Sequence, residues 1–268
     1  MKRTAWLWRV AGIGGALCTI VLLAGFVYAV FDVVYPQVVQ EQFIPPAPDE
    51  SAAPAMGEQL RIVALGDSLT KGTGDLSGNG YIGYLRDKLE ERTGEPNQLL
   101  NNLAVNGYHT GQLLDDLNKP SVAQTVAAAN LIVFTIGGND LFQYVRQEIG
   151  LSASALGAEE LAASIPEPAE GLKRILRKLE EINPEATIVY VGLYNPFLDL
   201  DQTRETSRAI ARWNEHAYDA IYANPNMILV PTADLLERNL IAYLSSDHFH
   251  PNAAGYERIA ERIAQALY

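Results

Sequence analysis

Arg61–Thr70 reads RIVALGDSLT: a short apolar run, then glycine, an acid and a serine, then residues that open a helix. A run this short and this continuously apolar suits a parallel strand covered on both faces. Four more follow, at Leu99–Val105, Leu131–Ile136 (LIVFTI), Thr187–Leu193 (TIVYVGL) and Met227–Val230 (MILV). Between them lie helix-like stretches at Tyr81–Arg92, Gly111–Asn118, Glu167–Ile182, Thr203–Tyr222 and Asn252–Leu267. The last of these carries Tyr256, Ile259, Ile263 and Leu267 at spacings of three and four. This alternation predicts an α/β domain over residues 60–268, a three-layer α/β/α sandwich around a five-stranded parallel sheet. Ligand chemistry in such sheets sits at the carboxyl ends of the strands.

Upstream of the domain the chain changes character. Residues 36–59 hold Pro36, Pro45, Pro46, Pro48 and Pro54 with no sustained period, and read as an extended linker. Residues 1–35 read as a membrane anchor or signal segment. Lys2, Arg3 and Arg9 precede an uncharged run from Val10 to Phe31, whose 22 residues would make a helix of about 33 Å against a hydrocarbon core of about 30 Å. Secretory apolar regions are shorter, about 7–15 residues. A retained transmembrane helix, with the domain on the extracytoplasmic side, is therefore expected. The alternative is a cleaved signal peptide with Val27 and Ala29 as small-residue determinants, and a secreted domain. Cys18 is the only cysteine, so no intrachain disulfide can form. It follows the bulky Leu17 in mid-run and reads as an apolar residue, not as a lipid attachment site.

The three basic residues of the tip leave 17 Lys and Arg against 32 Asp and Glu in the rest, a net charge of −15. Such a domain repels nucleic acid.

The candidate chemistry lies after the strands. Ser68 stands at the first strand-to-helix turn, where its amide and a helix N-terminus can face negative charge. It can equally be a plain helix cap. A phosphate cradle is the weaker reading, because G-x-x-x-x-G-K-[ST] and G-x-G-x-x-G are both absent, and so is G-x-S-x-G. Asp247-His248-Phe249-His250-Pro251-Asn252 precedes the last helix. A serine hydroxyl needs a neighbouring base, and a carboxylate fixes the tautomer of an imidazole. Asp247 and His250 are three apart and suit that task. His248 is the rival base, and His-x-His as a metal pair lacks further ligands at convincing spacing. Gly137-Gly138-Asn139-Asp140 follows the third strand, and Asn106-Gly107-Tyr108-His109-Thr110 follows the second. Both can be ordinary turns, yet both fall on the edge that carries Ser68. His109 lies near them, and His216 falls on a helix as a surface or packing residue.

These segments resemble the SGNH hydrolases, the GDSL lipase/esterase family. Ser68 lies in a Gly-Asp-Ser-Leu block. Gly107, with Thr110, matches the second block, and Gly137, Asn139 and Asp140 match Gly-x-Asn-Asp. Asp247 and His250 match Asp-x-x-His. The four occur in the family's order between Gly66 and His250. Tyr194-Asn195-Pro196-Phe197 resembles the bacterial lysophospholipase-like branch. The resemblance implies a flavodoxin-like SGNH fold and hydrolysis of carboxylic esters. It implies Ser68, Asp247 and His250 as a catalytic triad, and the amides of Ser68 and Gly107 with the Asn139 side chain as an oxyanion hole. Asp67 and Asp140 read as turn-holding carboxylates. No cofactor and no metal is implied. Lipid esters are the expected substrates, with O-acetyl groups of a cell-envelope polysaccharide as the alternative. A non-catalytic, membrane-tethered binding module is the reading from another class. Leu141–Pro168 is either an apolar lid over an acyl chain or a pair of helices packed on the sheet.

Overall fold

A computed structural model describes residues 14, 17, 19, 21–26, 59–142, 161, 163–199, 204–222 and 224–268. Of the run expected to be a membrane anchor, residues 14, 17, 19 and 21–26 are helical and exposed, and the rest lies outside the described residues. Among the described residues no helix is long and apolar enough to cross a membrane. The linker expected at 36–59 lies outside them too, apart from its last residue.

Among the described residues, β1 (Arg61–Gly66), β2 (Gln98–Asn102), β3 (Leu131–Thr135), β4 (Thr187–Val191) and β5 (Met227–Val230) form one parallel sheet in the order β2-β1-β3-β4-β5. Its helices are α1 (Ser68–Lys71), α2 (Gly80–Thr93), α3 (Thr110–Leu117), α4 (Pro120–Ala127), α5 (Pro166–Ile182), α6 (Glu205–Ile221), α7 (Ala233–Glu237), α8 (Leu240–Tyr243) and α9 (Ala253–Leu267).

Strand β1 shows why the layers form. Val63 and Leu65 enter one core with Leu113, Leu172, Ile175 and Trp213 from α3, α5 and α6. Ile62 and Ala64 enter the other with Tyr81, Leu85, Tyr256 and Ile259 from α2 and α9. Full burial of such a side chain is worth about 1.5–3 kcal/mol. A register slip of one residue would exchange the two faces. Strand order reverses beside β1, between β2 and β3, so the crevice at their carboxyl ends is the expected place for a ligand.

The second strand departs from expectation. It ends at Asn102 instead of Val105 and lies at the sheet edge, with Gln98 and Asn101 exposed. Leu103 and Val105 still donate to the carbonyls of Ala64 and Gly66, at 2.8 and 3.0 Å. The Asn102 side chain turns inward, donating to the Thr70 carbonyl at 2.9 Å and accepting from the Ala104 amide at 3.1 Å. The sequence reading also passed over α4, although Pro120 stands at its first position, a common helix start.

Candidate active site

Strand β1 delivers Ser68 to the first position of α1. Gly66 makes the exit possible: its φ is +114°, and a Cβ there would fall 1.9 Å from the Thr135 carbonyl oxygen. Asp67 caps α1, accepting from the Leu69 amide at 3.0 Å. Beneath the serine runs a buried polar chain. Thr135 Oγ1 lies 2.6 Å from Asp67 Oδ1, Thr70 Oγ1 lies 2.7 Å from Thr135 Oγ1, and Tyr81 OH lies 2.6 Å from Thr70 Oγ1. Burial pushes the Asp67 carboxyl upward, against the hydrogen bonds from Thr135 and Leu69.

His250 comes from the loop before α9. Its Nε2 lies 2.8 Å from Ser68 Oγ, across 182 residues of chain, and its Nδ1 lies 2.6 Å from Asp247 Oδ2. Burial raises the Asp247 carboxyl, but hydrogen bonds from His250, Ser245 and the backbone amides of His250 and Phe249 outweigh it and hold the group well below the usual carboxylate range. Asp247 is therefore ionised at neutral pH and can only accept. Nδ1 then carries the proton, and Nε2 is left as the acceptor for the serine O–H. This arrangement can move the serine proton onto the imidazole. The rival His248 is exposed, with φ +54° and its amide on the Ser245 carbonyl at 3.0 Å. His216 lies exposed on α6.

The two halves of this relay meet through Gly74 (φ +96°), where a Cβ would fall 2.6 Å from the Pro251 carbonyl oxygen and 2.8 Å from His250 Cβ. Tyr256 OH donates to the Thr73 carbonyl at 2.7 Å, tying the serine's turn to α9. Buried Tyr194 donates to the Phe249 carbonyl at 2.5 Å and steadies the histidine loop from beneath. Of these partners only Tyr194 falls in a stretch that the sequence marks out, Tyr194–Phe197.

Asn139 follows β3, and its Nδ2 donates to the Tyr108 carbonyl at 2.9 Å. Gly137 just before it has φ +104°, and a Cβ there would meet the Trp213 ring at 2.0 Å. The Asp140 carboxylate accepts from the Thr110 amide, at 3.1 and 3.2 Å, and from its hydroxyl at 2.8 Å. Asp140 thus fixes the start of α3, and His109 Nδ1 lies 3.8 Å from it. Gly107, at φ +80°, sits between two tethers: Asn106 accepts from Thr73 Oγ1 at 3.0 Å, and Tyr108 accepts from Asn139. A groove open to solvent is lined by Ser68, Asn139, Phe142, Leu193, Pro196 and Phe249, among others. Gly107 is not among its lining residues. Asn195, between the lining residues Tyr194 and Pro196, ties the stretch to α6 by donating to the Thr206 and Ser207 hydroxyls at 3.0 and 2.9 Å. Of the segment expected as a lid, 143–160 and 162 lie outside the described residues. Among the described residues no cluster of three or more metal-ligating side chains occurs.

Residues 64–258 match the GDSL-like lipase/acylhydrolase family. The chain is 32% identical over 213 residues to the uncharacterized protein YpmR of Bacillus subtilis, covering 78% of this chain and 82% of that one. It is 29% identical over 221 residues to the spore germination lipase LipC of Bacillus licheniformis, covering 78% and 97%. Among solved structures, the lipase Lip_vut3 from a goat rumen metagenome superposes with a TM-score of 0.67 at 28% identity, covering 78% and 98%. The chain belongs to the GDSL-like lipase/acylhydrolase family, the SGNH hydrolases, and is a serine ester hydrolase.

Proposed function

We propose that this member of the SGNH hydrolases cleaves lipid esters, with Ser68 as nucleophile, His250 as base and Asp247 as the group that orients it. The observation that carries the reading is the relay from Ser68 Oγ to His250 at 2.8 Å and on to Asp247 at 2.6 Å.

Ser68 Oγ attacks the ester carbonyl carbon as His250 Nε2 takes the hydroxyl proton. Negative charge gathers on the former carbonyl oxygen. The amides of Ser68 and Gly107 and the second Nδ2 hydrogen of Asn139 stabilise it. Collapse of this intermediate expels the alcohol, which leaves with the proton from His250. Water then gives a proton to His250 and attacks the acyl-serine, and the carboxylic acid departs as Ser68 regains its proton. Asp247 stays ionised throughout and stabilises the imidazolium.

The lipid assignment is supported by the groove, where Phe142, Leu193, Pro196 and Phe249 offer apolar surface beside the serine, and by the likeness to a spore germination lipase. The reading includes an N-terminal tether, based on the basic tip, the uncharged run from Val10 to Phe31 and the proline-bearing linker. The domain then works on the extracytoplasmic side of a membrane.

The test is a series of nitrophenyl esters, from acetyl to palmitoyl, turned over by the full chain with Ser68→Ala as control. Turnover should vanish in the variant, and kcat/KM should rise beyond acetyl. A clear preference for acetyl would sink the lipid assignment in favour of an O-acetylesterase. Folded protein with neither turnover nor fluorophosphonate labelling of Ser68 would leave a binding module. Full-length chain that stays soluble after membranes are sedimented would remove the tether.

A further inference from the structure

Asp247 is 43% exposed at its side chain, whereas the imidazole it serves is 10% exposed. Water competes for an exposed carboxylate, so burial does not fix this one in place. The loop does. Oδ1 accepts three hydrogen bonds, from the Ser245 hydroxyl at 2.7 Å and from the amides of Phe249 and His250 at 2.9 Å each. Oδ2 faces the imidazole at 2.6 Å. Three donors on one oxygen stop the carboxylate from rotating, which aims the other oxygen at Nδ1. Two of these donors are backbone. The hydroxyl of Ser245 is the one that a side chain supplies.

Ser245 itself is held where it can do this. Its amide donates to the His250 carbonyl at 2.8 Å, and its carbonyl accepts from the His248 amide at 3.0 Å. Leu244 bridges Pro251, closing the loop from both ends. The hydroxyl therefore comes from the same closed ring that carries the acid and the base.

We infer that Ser245 is a positioning residue of the relay, whose hydroxyl holds the Asp247 carboxylate in the orientation that meets the imidazole. The inference rests on the triad reading above. Ser245 keeps its proton throughout, since it donates to an oxygen that remains ionised. Its effect falls on the step in which the imidazolium forms, and substrate binding is untouched.

The test compares Ser245→Ala and Ser245→Thr in the full chain, each alone and with Asp247→Asn. Ser245→Ala should lower kcat roughly 10-fold, the scale of one hydrogen bond to a charged group, with KM changed by less than about twofold. Ser245→Thr, which restores the hydroxyl, should recover most of that loss. With Asn at 247 the alanine change should have almost no effect, because the charge it positions has gone. Unchanged kcat in Ser245→Ala overturns the inference. So does an equal loss in both backgrounds, or a threonine variant no faster than the alanine one, since each would mark a loop-folding effect. Fluorophosphonate labelling of Ser68 separates the two levels. Labelled wild type with an indifferent Ser245→Ala removes only the positioning role, while unlabelled wild type removes the triad beneath it.

Discussion

The two halves of the relay are built on opposite plans. The serine's turn is set into the core: Asp67, Ser68, Leu69 and Thr70 are all buried, and a polar chain through Thr135 to Tyr81 underlies them. The histidine's loop lies near the surface, with Asp247 and His248 exposed, and it is held mainly by hydrogen bonds that begin and end within residues 244–251. Ser68 is thus positioned by the fold, and His250 by a local ring pressed against it. Damage to the first should appear as lost stability, and damage to the second as lost rate.

The largest effect expected on the loop side is that of His250→Ala, which should cut kcat by about 10⁴–10⁶ while thermal unfolding stays near that of the wild type. A variant that unfolds as it loses activity would erase the distinction between the halves. Gly74→Ala probes the seam itself. Its Cβ would press on Pro251 and His250, and a displacement near 1 Å can cost about 10²-fold in kcat. Ester turnover at near wild-type speed would show that the seam yields without moving the base.

Thr135→Val sharpens the core side. It strips a donor from Asp67 and an acceptor from the Thr70 amide, and a buried group left unpaired costs about 1–3 kcal/mol. The melting temperature should drop by several degrees, with a smaller proportional change in kcat. A variant as stable as the wild type would mean that the polar chain holds nothing up.

The smallest effect expected is that of Asp67→Asn. Burial raises the folded-state carboxyl above its unfolded value. Above that folded value the native state bears a buried charge, and stability is gained as pH falls through it and the native state takes up a proton. Asparagine removes the charge and can still accept from Leu69 and Thr135. It should therefore raise the melting temperature at pH 8, and the gain should shrink on acidification. A lower melting temperature at pH 8 would mean that the ionised form is the favoured one.

Much of this was legible in the chain. The apolar runs at Ile62–Leu65 and Leu131–Thr135 announce strands covered on both faces, because burial on two sides leaves no room for polar alternation. Ser68, Asn139, Asp247 and His250 stood out because each lies in a short polar block beside a strand end or a helix start, and the four blocks keep the family's order. The choice of His250 over His248 rested on its three-residue spacing from Asp247, and the loop brings that pair together. The early end of β2 was not legible, since it depends on where the Asn102 side chain turns. Ser245 and Gly74 were equally hidden. Serine and glycine are common, and their partners Asp247 and His250 are fixed only by the folded loop.

The separation of 182 positions from Ser68 to His250 also sets a clock. A ribosome that has delivered the first three strands has made the nucleophile's turn and the Asn139 loop, but no imidazole to arm them. The hydroxyl stays inert until the loop before the last helix has emerged and closed. Under the triad reading, esterase activity begins only once the polypeptide has reached its final segment.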